Sequence, residues 1–285
     1  ILEHPQRTIS VSMPVRMDDG AIRVFEGYRV QYNDALGPTK GGIRYHPRVD
    51  VGEVQELAFL MMMKNSLAGL PYGGAKGGIT ADPKELSKKE LQKLTRSFAR
   101  SLGTTVGPFI DIPAPDVNTD AETMGWFADE YGKIVGKYQP AVVTGKPVGK
   151  GGSRGRDVAT GLGGVCILEQ YAKLLGWKPA NTTVAVQGFG NVGGHIARLL
   201  AERGYRVVAV SNSKGGVYRE SGFSEKELAQ AQKSKQLPVG DPKSNDDILL
   251  LPVSVLIPAA LSEQITGKNA SAIHAQVILE MANAP

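Results

Sequence analysis

The spacing of apolar and polar residues in the first half of the chain predicts a sheet and several helices. Residues 24–32 alternate with the period of a strand. Further on, apolar residues recur at the spacing of one helical face (Val54, Leu57, Ala58 and Met61). Two later helix starts carry capping boxes, in which a hydroxyl and a carboxylate satisfy each other's free backbone donors. These boxes are Ser87 with Glu90 and Thr119 with Glu122.

In the second half of the chain, predicted strands alternate with predicted helices. The strands cover residues 184–187, 207–211 and 253–257, and the helices cover 159–175, 195–203 and a segment from about 224. Such alternation is typical of a parallel α/β sheet. A glycine-dense connection over residues 145–156 separates this half from the first. We therefore predict an α/β protein with domains at 1–150 and 151–285, the second of the Rossmann type.

A glycine motif follows the apolar strand at 184–187 and opens the next helix. Gly188, Gly190 and Gly193 form the pattern Gly-x-Gly-x-x-Gly, which is specific for dinucleotides only in this strand–turn–helix context. Gly188 permits the turn, Gly190 lets the backbone approach a pyrophosphate, and Gly193 lets the helix pack closely. A strand–turn–helix without a ligand is the alternative.

The end of the second strand of this domain bears on the choice between NAD and NADP. An NAD-preferring site usually offers a carboxylate to the ribose hydroxyls there. This chain has Ser211, Asn212, Ser213 and Lys214 instead. With no carboxylate to repel a 2′-phosphate and a lysine nearby, the segment favours NADP slightly over NAD, and use of both is compatible with it.

Three lysines and one aspartate in the first half are candidates for chemistry. Lys64 shares a helical phase with Leu57 and Met61, so we expect it on the apolar stripe, where an anion would have to compensate its charge. Lys76 lies in a predicted loop, bracketed by glycine pairs that leave its ammonium accessible, and neighbouring cations would lower its pKa. Asp116, between prolines and a helix start, suits a general base. A snorkelling lysine, a surface lysine and an ordinary turn aspartate are the respective alternatives.

Composition narrows the class of protein. A hydrophobic share of 41% with 21% charged residues is typical of a soluble globular chain. The net charge of +5 is not concentrated in a basic run, so nucleic acid is not an expected partner. No apolar run has the length of a membrane span. The single cysteine favours a reducing compartment, hence the cytoplasm. The four histidines have no metal-ligand spacing, so no metal site is expected.

Several of these segments together resemble the Glu/Leu/Phe/Val dehydrogenase family, and within it the hexameric bacterial glutamate dehydrogenases. The carrying segments are Lys40-Gly-Gly-Ile-Arg44, Met63-Lys64-Asn65, Leu70 to Pro83 around Lys76, Pro115-Asp116-Val-Asn-Thr, Ala159-Thr160-Gly and the Gly188 motif. They span nearly the whole chain in one order. The resemblance implies a homo-hexameric, nicotinamide-dependent enzyme that interconverts glutamate with 2-oxoglutarate and ammonium, with substrate binding and oligomerisation in the first domain.

The resemblance also implies residue roles. Lys76 would activate water and stabilise the carbinolamine, Asp116 would shuttle the proton of the substrate nitrogen, and Lys64 would bind the α-carboxylate. Lys40, replaced by an apolar residue in enzymes for branched-chain amino acids and phenylalanine, would bind the side-chain carboxylate. Five residues would contact the cofactor in addition to Gly188, Gly190 and Gly193: Thr160, Asn191, Val192, Asn212 and Asn283.

Two other functions stay open at this point. One is a dehydrogenase for a neutral amino acid of the leucine, phenylalanine or valine type, and the other is a non-catalytic nucleotide-binding regulatory subunit. Family members are longer than this chain, and Asn283 resembles the start of their Asn-Gly-Pro-Thr loop. We therefore expect the sequence to be a fragment whose second domain is incomplete at its C-terminal end, without the serine that accompanies Lys40 in the family.

Overall fold

The computed structural model describes residues 2–283, which form two compact units that divide between Arg154 and Gly155. The division lies inside the glycine-dense connection of residues 145–156. Each unit has its own sheet and its own hydrophobic core. The α/β class predicted from the sequence is confirmed. Within the described residues, no helix is long and apolar enough to cross a membrane.

The N-terminal unit, up to Arg154, is built on a mixed sheet with the strand order β1-β2-β4-β3-β5. Its strands are β1 (Arg7–Arg16), β2 (Ile22–Asn33), β3 (Thr39–His46), β4 (Gly73–Thr80) and β5 (Asp111–Pro115). Its helices are α1 (Val51–Leu67), α2 (Lys88–Leu102) and α3 (Ala121–Ile134). β1, β2 and β4 pair antiparallel, whereas β3 lies parallel to both β4 and β5. The predicted strand at 24–32 and helix from Val54 are therefore confirmed.

The two faces of this sheet are covered by different helices. On one face, Val30 and Tyr32 of β2 pack with Val54, Ala58 and Met62 of α1. On the other face, strand residues such as Phe25 and Ile43 pack with the apolar residues of α2 and α3. We call the face covered by α1 the α1 face. Because side chains alternate along a strand, Lys40, Arg44 and Lys76 belong to this face.

The glycine-rich segment around Lys76 is a buried central strand, and the loop expected from its sequence is wrong. β4 lies between β2 and β3, and the glycines allow close packing on both of its faces. A Cβ on Gly74 would lie 2.4 Å from Met62 N, so the backbone of α1 rests directly on β4. A Cβ on Gly77, on the opposite face, would lie 3.3 Å from the Arg29 side chain. The glycines therefore make room for neighbouring chain, not for flexibility.

A fully buried ion pair lies on the face opposite α1. Arg29 of β2 donates from Nε to Asp111 Oδ2 at 2.8 Å and from Nη2 to Oδ1 at 2.5 Å. Both side chains are 0% exposed. Arg29 Nη1 also donates to the Gly41 carbonyl at 3.2 Å, and Gln31 Nε2 donates to Asp111 Oδ2 at 3.0 Å. The pair thus connects β2 to β5 beneath the two strands that lie between them.

The C-terminal unit, from Gly155, has a six-stranded sheet among the described residues, in the order β11-β10-β6-β7-β8-β9. Its strands are β6 (Thr183–Gln187), β7 (Arg206–Asn212), β8 (Gly215–Tyr218), β9 (Asp241–Lys243), β10 (Val255–Pro258) and β11 (Val277–Ile278). Its helices are α4 (Arg156–Leu174), α5 (Asn191–Glu202), α6 (Glu225–Ser234) and α7 (Asn245–Leu249). β7 and β10 both lie parallel to β6, one on each side. The chain order reverses there, and open α/β sheets bind ligands at such a switch point.

Of the two predicted capping boxes, one is confirmed and the other is wrong by one residue. Ser87 and Glu90 form the reciprocal cap of α2. α3 is capped instead by Asp120, with Thr123 as the reciprocal partner. The Thr119 hydroxyl is engaged elsewhere, because it accepts from Asp116 N at 2.7 Å and donates to the Ile43 carbonyl at 2.8 Å. Thr119 therefore fastens the turn that carries Asp116 to β3.

Replacing Asp111 with Asn tests the weight of the buried ion pair. Asp111→Asn would leave the Arg29 charge buried without its counter-ion, so we expect a loss of about 3–5 kcal/mol in the free energy of unfolding. Chemical denaturation followed by circular dichroism measures it. Asp129→Asn is the matched control, since its carboxylate is 56% exposed and surface pairs contribute about 0–1 kcal/mol. Equal losses in the two variants would contradict the assignment.

Candidate functional site

Lys76 and Asp116 form an ion pair on the α1 face of the N-terminal unit. Lys76 lies in the middle of β4, and Asp116 follows the last residue of β5. Lys76 Nζ lies 3.0 Å from Asp116 Oδ2. The lysine side chain is 6% exposed and that of the aspartate 21%. The two residues predicted to do the chemistry are thus in contact, partly shielded from water.

Asp116 is placed by the close packing of β3 against the residues at the end of β5. A Cβ on Gly42 of β3 would lie 2.7 Å from the Asp116 Cβ and 3.0 Å from the Pro115 carbonyl oxygen. Any larger residue at position 42 would therefore push Asp116 away from the sheet. The backbone N–H of Asp116 is held by the Thr119 hydroxyl. The aspartate is fixed on both sides, as a positioned proton acceptor must be.

Burial and neighbouring charges shift the pKa values of this pair. Burial lowers the pKa of Lys76, Arg44 and Lys64 lower it further, and the Asp116 carboxylate opposes them in part. Burial alone would raise the pKa of Asp116, but Lys76 and Arg44 outweigh it and hold that pKa below its usual value. The aspartate therefore stays ionised, while the lysine loses its proton more readily than a lysine in water.

Lys40 lies on the same face, at the start of β3. Its Nζ donates a hydrogen bond to Thr144 Oγ1 at 2.6 Å. Thr144 is held in turn by a bond from its N–H to the Pro113 carbonyl at 3.0 Å. Together they offer an ammonium and a hydroxyl to an anionic group. Thr144 was not predicted from the sequence, because it is far from Lys40 in the chain and belongs to no motif that periodicity or spacing would mark.

Lys64 is placed differently from the expectation. Its side chain is exposed in the N-terminal unit, so its predicted burial on the apolar stripe is wrong. The buried line of α1 runs through Val54, Ala58, Met62 and Asn65, and Lys64 lies beside it in the last turn. Partial burial nevertheless lowers the pKa of Lys64, and the Asp116 carboxylate opposes that shift. Lys64 is therefore close enough to Asp116 to interact with it electrostatically.

The glycine motif of the C-terminal unit has the geometry of a phosphate-binding turn. Gly188 has φ +95°, a conformation that favours glycine, and lies against the backbone of Ala259. A Cβ on Gly193 would lie 1.9 Å from the Gly188 carbonyl oxygen, so the turn closes tightly onto α5. Around Gly190, by contrast, a Cβ would meet no protein atom within 4 Å. The backbone at Gly190 therefore faces open space.

The start of α5 completes this turn. α5 begins at Asn191, four residues before the predicted start at 195, and Gly190 is its N-cap with no side-chain hydrogen bond. Asn191 is exposed and Val192 half-buried, so both lie at the open end of the helix. Free N–H groups and the positive end of the helix dipole are what a pyrophosphate requires. The residues present thus fit a dinucleotide.

The remaining predicted cofactor contacts occupy nearby elements of the same unit. Thr160 is exposed on α4, next to Gly161, where a Cβ would lie 3.0 Å from Ile196 N of α5. Asn212 ends β7, and its Oδ1 accepts from the Lys214 N–H at 2.8 Å, so it shapes the turn after the strand. Asn283 is exposed at the end of the described residues. Their contacts with a cofactor stay a prediction.

The part of the chain that the structure describes contains no group of three or more histidine, cysteine, aspartate or glutamate side chains that could hold a metal ion.

Arg44 is a second residue near the site that was not predicted from the sequence. It lies in the motif with Lys40, but nothing in the motif marked its side chain, which donates to Asp116 Oδ2 at 2.9 Å. Only the fold, by pairing β3 with β5, brings the two together.

Alanine at Gly193 should lower stability, whereas alanine at Gly190 should lower dinucleotide affinity. Gly193→Ala forces the turn apart, so we expect a stability loss of about 1–3 kcal/mol. Gly190→Ala meets no protein atom, so we expect stability within about 0.5 kcal/mol of the unchanged protein and dinucleotide affinity lower by on the order of tenfold. Thermal unfolding and fluorescence titration measure the two. Unchanged dinucleotide affinity in Gly190→Ala would exclude this turn as the phosphate site.

Comparisons with known proteins agree with this arrangement. The profile described as "Glu/Leu/Phe/Val dehydrogenase, dimerisation domain" matches residues 5–133, and that described as "Glutamate/Leucine/Phenylalanine/Valine dehydrogenase" matches 151–285. The NADP-specific glutamate dehydrogenase of Synechocystis sp. is 48% identical over all of this chain and 69% of its own length. The catabolic NAD-specific glutamate dehydrogenase RocG of Bacillus subtilis is 42% identical over all of the chain and 68% of its own length.

Solved structures show the same likeness. The hetero-hexameric glutamate dehydrogenase from Thermus thermophilus, in a leucine-bound form, matches with a TM-score of 0.93 at 42% identity, covering 99% of this chain and 68% of that one. Glutamate dehydrogenase from Peptoniphilus asaccharolyticus matches with a TM-score of 0.85, also at 42% identity, over all of this chain and 69% of that one. The chain belongs to the Glu/Leu/Phe/Val dehydrogenase family.

Proposed function

We propose that this chain catalyses the reversible oxidative deamination of L-glutamate to 2-oxoglutarate and ammonium with NAD or NADP. The observation that carries the proposal is the shielded Lys76–Asp116 ion pair, with Lys40 and Lys64 as two further cations in the same unit. A substrate with two carboxylates and one amino group requires that set of charges. The relatives described above, which are named glutamate dehydrogenases, support the same substrate.

The proposed roles follow from the positions of the side chains. Lys40 and the Thr144 hydroxyl bind the side-chain carboxylate, and Lys64 binds the α-carboxylate, so Cα and the amino group are held beside Asp116. Asp116, ionised at neutral pH, accepts a proton from the amino group. Lys76, whose pKa is lowered by burial, takes a proton from the water that adds to the substrate carbon. The nicotinamide, when bound, supplies the acceptor for the hydride of Cα.

The nucleotide site of the C-terminal unit supports NAD or NADP as the cofactor. Gly188, Gly190 and Gly193 with the start of α5 provide the pyrophosphate subsite, and Thr160, Asn191, Val192, Asn212 and Asn283 are proposed to surround the rest of the cofactor. Asn212 ends β7, and the exposed Lys214 follows it. A carboxylate at this place would repel a 2′-phosphate, but neither residue carries one. We therefore propose a slight preference for NADP. Relatives are named for each cofactor, so the family supports either.

Assembly and location form a further part of the proposal. One solved relative is described as hetero-hexameric, and the first profile is that of a dimerisation domain. We propose a homo-hexamer in the cytoplasm, formed through the N-terminal unit, with residues up to 150 providing substrate binding and the rest nucleotide binding. The single cysteine is in keeping with a reducing compartment.

The pocket around Lys40 distinguishes glutamate from a neutral amino acid. In an assay of the nicotinamide absorbance with 2-oxoglutarate and ammonium, the full-length protein should turn over. Lys40→Leu should lower kcat/KM for glutamate by on the order of 100-fold, because a charged hydrogen-bonding partner contributes about 1.5–3 kcal/mol. It should also shift preference toward leucine-like substrates. Thr144→Val should cost about fivefold, the value of one neutral bond.

Lys133→Leu is the control, since that lysine is 62% exposed on α3 and pairs with Glu130. Unchanged glutamate turnover in Lys40→Leu would contradict the assignment of Lys40 to the side-chain carboxylate. No turnover by the unsubstituted protein with either cofactor would favour the non-catalytic regulatory subunit.

The cofactor preference can be tested at Lys214. Lys214→Glu places a negative charge where the 2′-phosphate of NADP would lie, so kcat/KM with NADPH should fall by on the order of tenfold relative to NADH. Steady-state kinetics with both cofactors measure the ratio. Lys226→Glu, an exposed lysine in the first turn of α6, controls for net charge. An unchanged ratio in Lys214→Glu would remove this basis for an NADP preference.

A further inference from the structure

Arg44 connects Asp116 to helix α1. It lies on β3, on the α1 face, and donates from Nε to Asp116 Oδ2 at 2.9 Å. Its Nη1 donates to Glu53 Oε1 at 2.5 Å. The Arg44 side chain is 19% exposed and that of Glu53 34%, so the chain of contacts is partly shielded from water. None of the roles proposed above uses Arg44 or Glu53.

The contacts of Asp116 are unequal between its two oxygens. Arg44 Nε and Lys76 Nζ both make their closest approach to Oδ2, at 2.9 Å and 3.0 Å. A carboxylate can accept about four hydrogen bonds, two at each oxygen. With both cations at Oδ2, the carboxylate plane is fixed and Oδ1 is the oxygen that can accept from a substrate amine.

Glu53 is itself held in place. It lies in the first turn of α1, where its N–H donates to the side chain of the N-cap Asp50 at 2.8 Å. A planar guanidinium that binds two carboxylates at once has little freedom to rotate. The orientation of Asp116 is therefore fixed by the start of α1 through Arg44, in addition to its contact with Lys76.

We propose that Arg44, held by Glu53, is a positioning residue: it orients the Asp116 carboxylate so that Oδ1 accepts the proton of the substrate's amino group. The proposal rests on the proposed function and adds a residue that contacts neither substrate carboxylate. It requires that removing Arg44 change proton transfer more than substrate binding.

The charges around Asp116 determine the direction of the pH effect. Lys76 faces it from β4, Arg44 from β3 and Lys64 from α1, while Glu53 of α1 faces Arg44. Burial raises the pKa of Asp116, and Lys76 and Arg44 lower it. Without Arg44 the pKa of Asp116 rises. On acidification, Asp116 therefore takes up a proton, and ceases to act as a base, at a higher pH than in the unsubstituted protein. Arg44 also lowers the pKa of Lys76, which should therefore rise in its absence.

Three variants separate orientation from charge, with kcat/KM for glutamate measured against pH on the full-length protein. In Arg44→Met we expect kcat to fall by on the order of 10- to 100-fold with KM within about threefold, and the acid limb to move to higher pH. Arg44→Lys keeps the charge but cannot bridge two carboxylates, so kcat should fall without that shift. Glu53→Ala should also lower kcat without an upward shift, because the Arg44 charge remains.

Arg96→Met is the matched control, because Arg96 likewise bridges two carboxylates, Asp129 and Glu130, elsewhere in the N-terminal unit. Its acid limb should stay in place. Competitive labelling of Lys76 against pH, read by peptide mass spectrometry, gives a measurement that needs no activity. The apparent pKa of Lys76 should rise in Arg44→Met and stay unchanged in Arg96→Met.

Two results would overturn the proposal. The first is that Arg44→Met folds but keeps both the acid limb of the pH profile and the apparent pKa of Lys76 of the unsubstituted protein. The second is that Arg96→Met shifts these two quantities as much as Arg44→Met does. If Arg44→Met fails to fold, a kcat unchanged in both Arg44→Lys and Glu53→Ala decides against it. Absence of glutamate turnover in the unsubstituted protein would instead contradict the proposed function, and the labelling would still show whether Arg44 controls the ion pair.

Discussion

The buried ion pair of Arg29 with Asp111 constrains the whole N-terminal unit. Taking two charges out of water costs several kcal/mol per ion, and only good geometry with further hydrogen bonds offsets it. The structure meets both conditions, because Arg29 binds both oxygens of Asp111 and Gln31 binds one of them as well. To reach Asp111, the Arg29 side chain must pass beneath β4 and β3. Where the Arg29 side chain lies, at Gly77 of β4 and Gly41 of β3, the strands therefore carry no side chain.

This requirement explains the glycines beside the functional lysines. On the face toward Arg29, Gly77 leaves space for the Arg29 side chain, and the Gly41 carbonyl accepts from the guanidinium. On the α1 face, Gly74 lets the backbone of α1 lie directly on β4, and Gly42 lets Asp116 approach β3. Lys76 projects from a strand whose neighbours are fixed on both faces. Its position relative to Asp116 thus follows from backbone packing, which a longer side chain at any of these glycines would disturb.

Much of this architecture was predictable from the sequence, and the exceptions share a physical cause. In strand β2 and helix α1 the apolar residues recur with the period of a strand and of a helix, so both elements were predicted. The motif at Gly188 was predicted because its residues are adjacent in the sequence. β4 was mistaken for a loop because glycines carry no hydrophobic signal, although they are buried. Lys64 was expected on the apolar stripe because it follows Leu57 and Met61 at helical spacing, whereas the line that packs on the sheet runs through Val54, Ala58 and Met62. Thr144 and Arg44 act through contacts that only the fold creates.

The two aspartates of this sheet show how the same chemistry serves structure or function. Asp111 is 0% exposed, and its two oxygens accept from Arg29 and Gln31, so a substrate donor cannot reach it. Asp116 is 21% exposed, and Lys76 and Arg44 converge on its Oδ2. A fully buried ion pair with donors at both oxygens stabilises the fold, whereas one that concentrates its donors on a single oxygen holds a charged base in place and leaves the other oxygen to react. The difference lies in the number of donors and in their direction, not in the residue types.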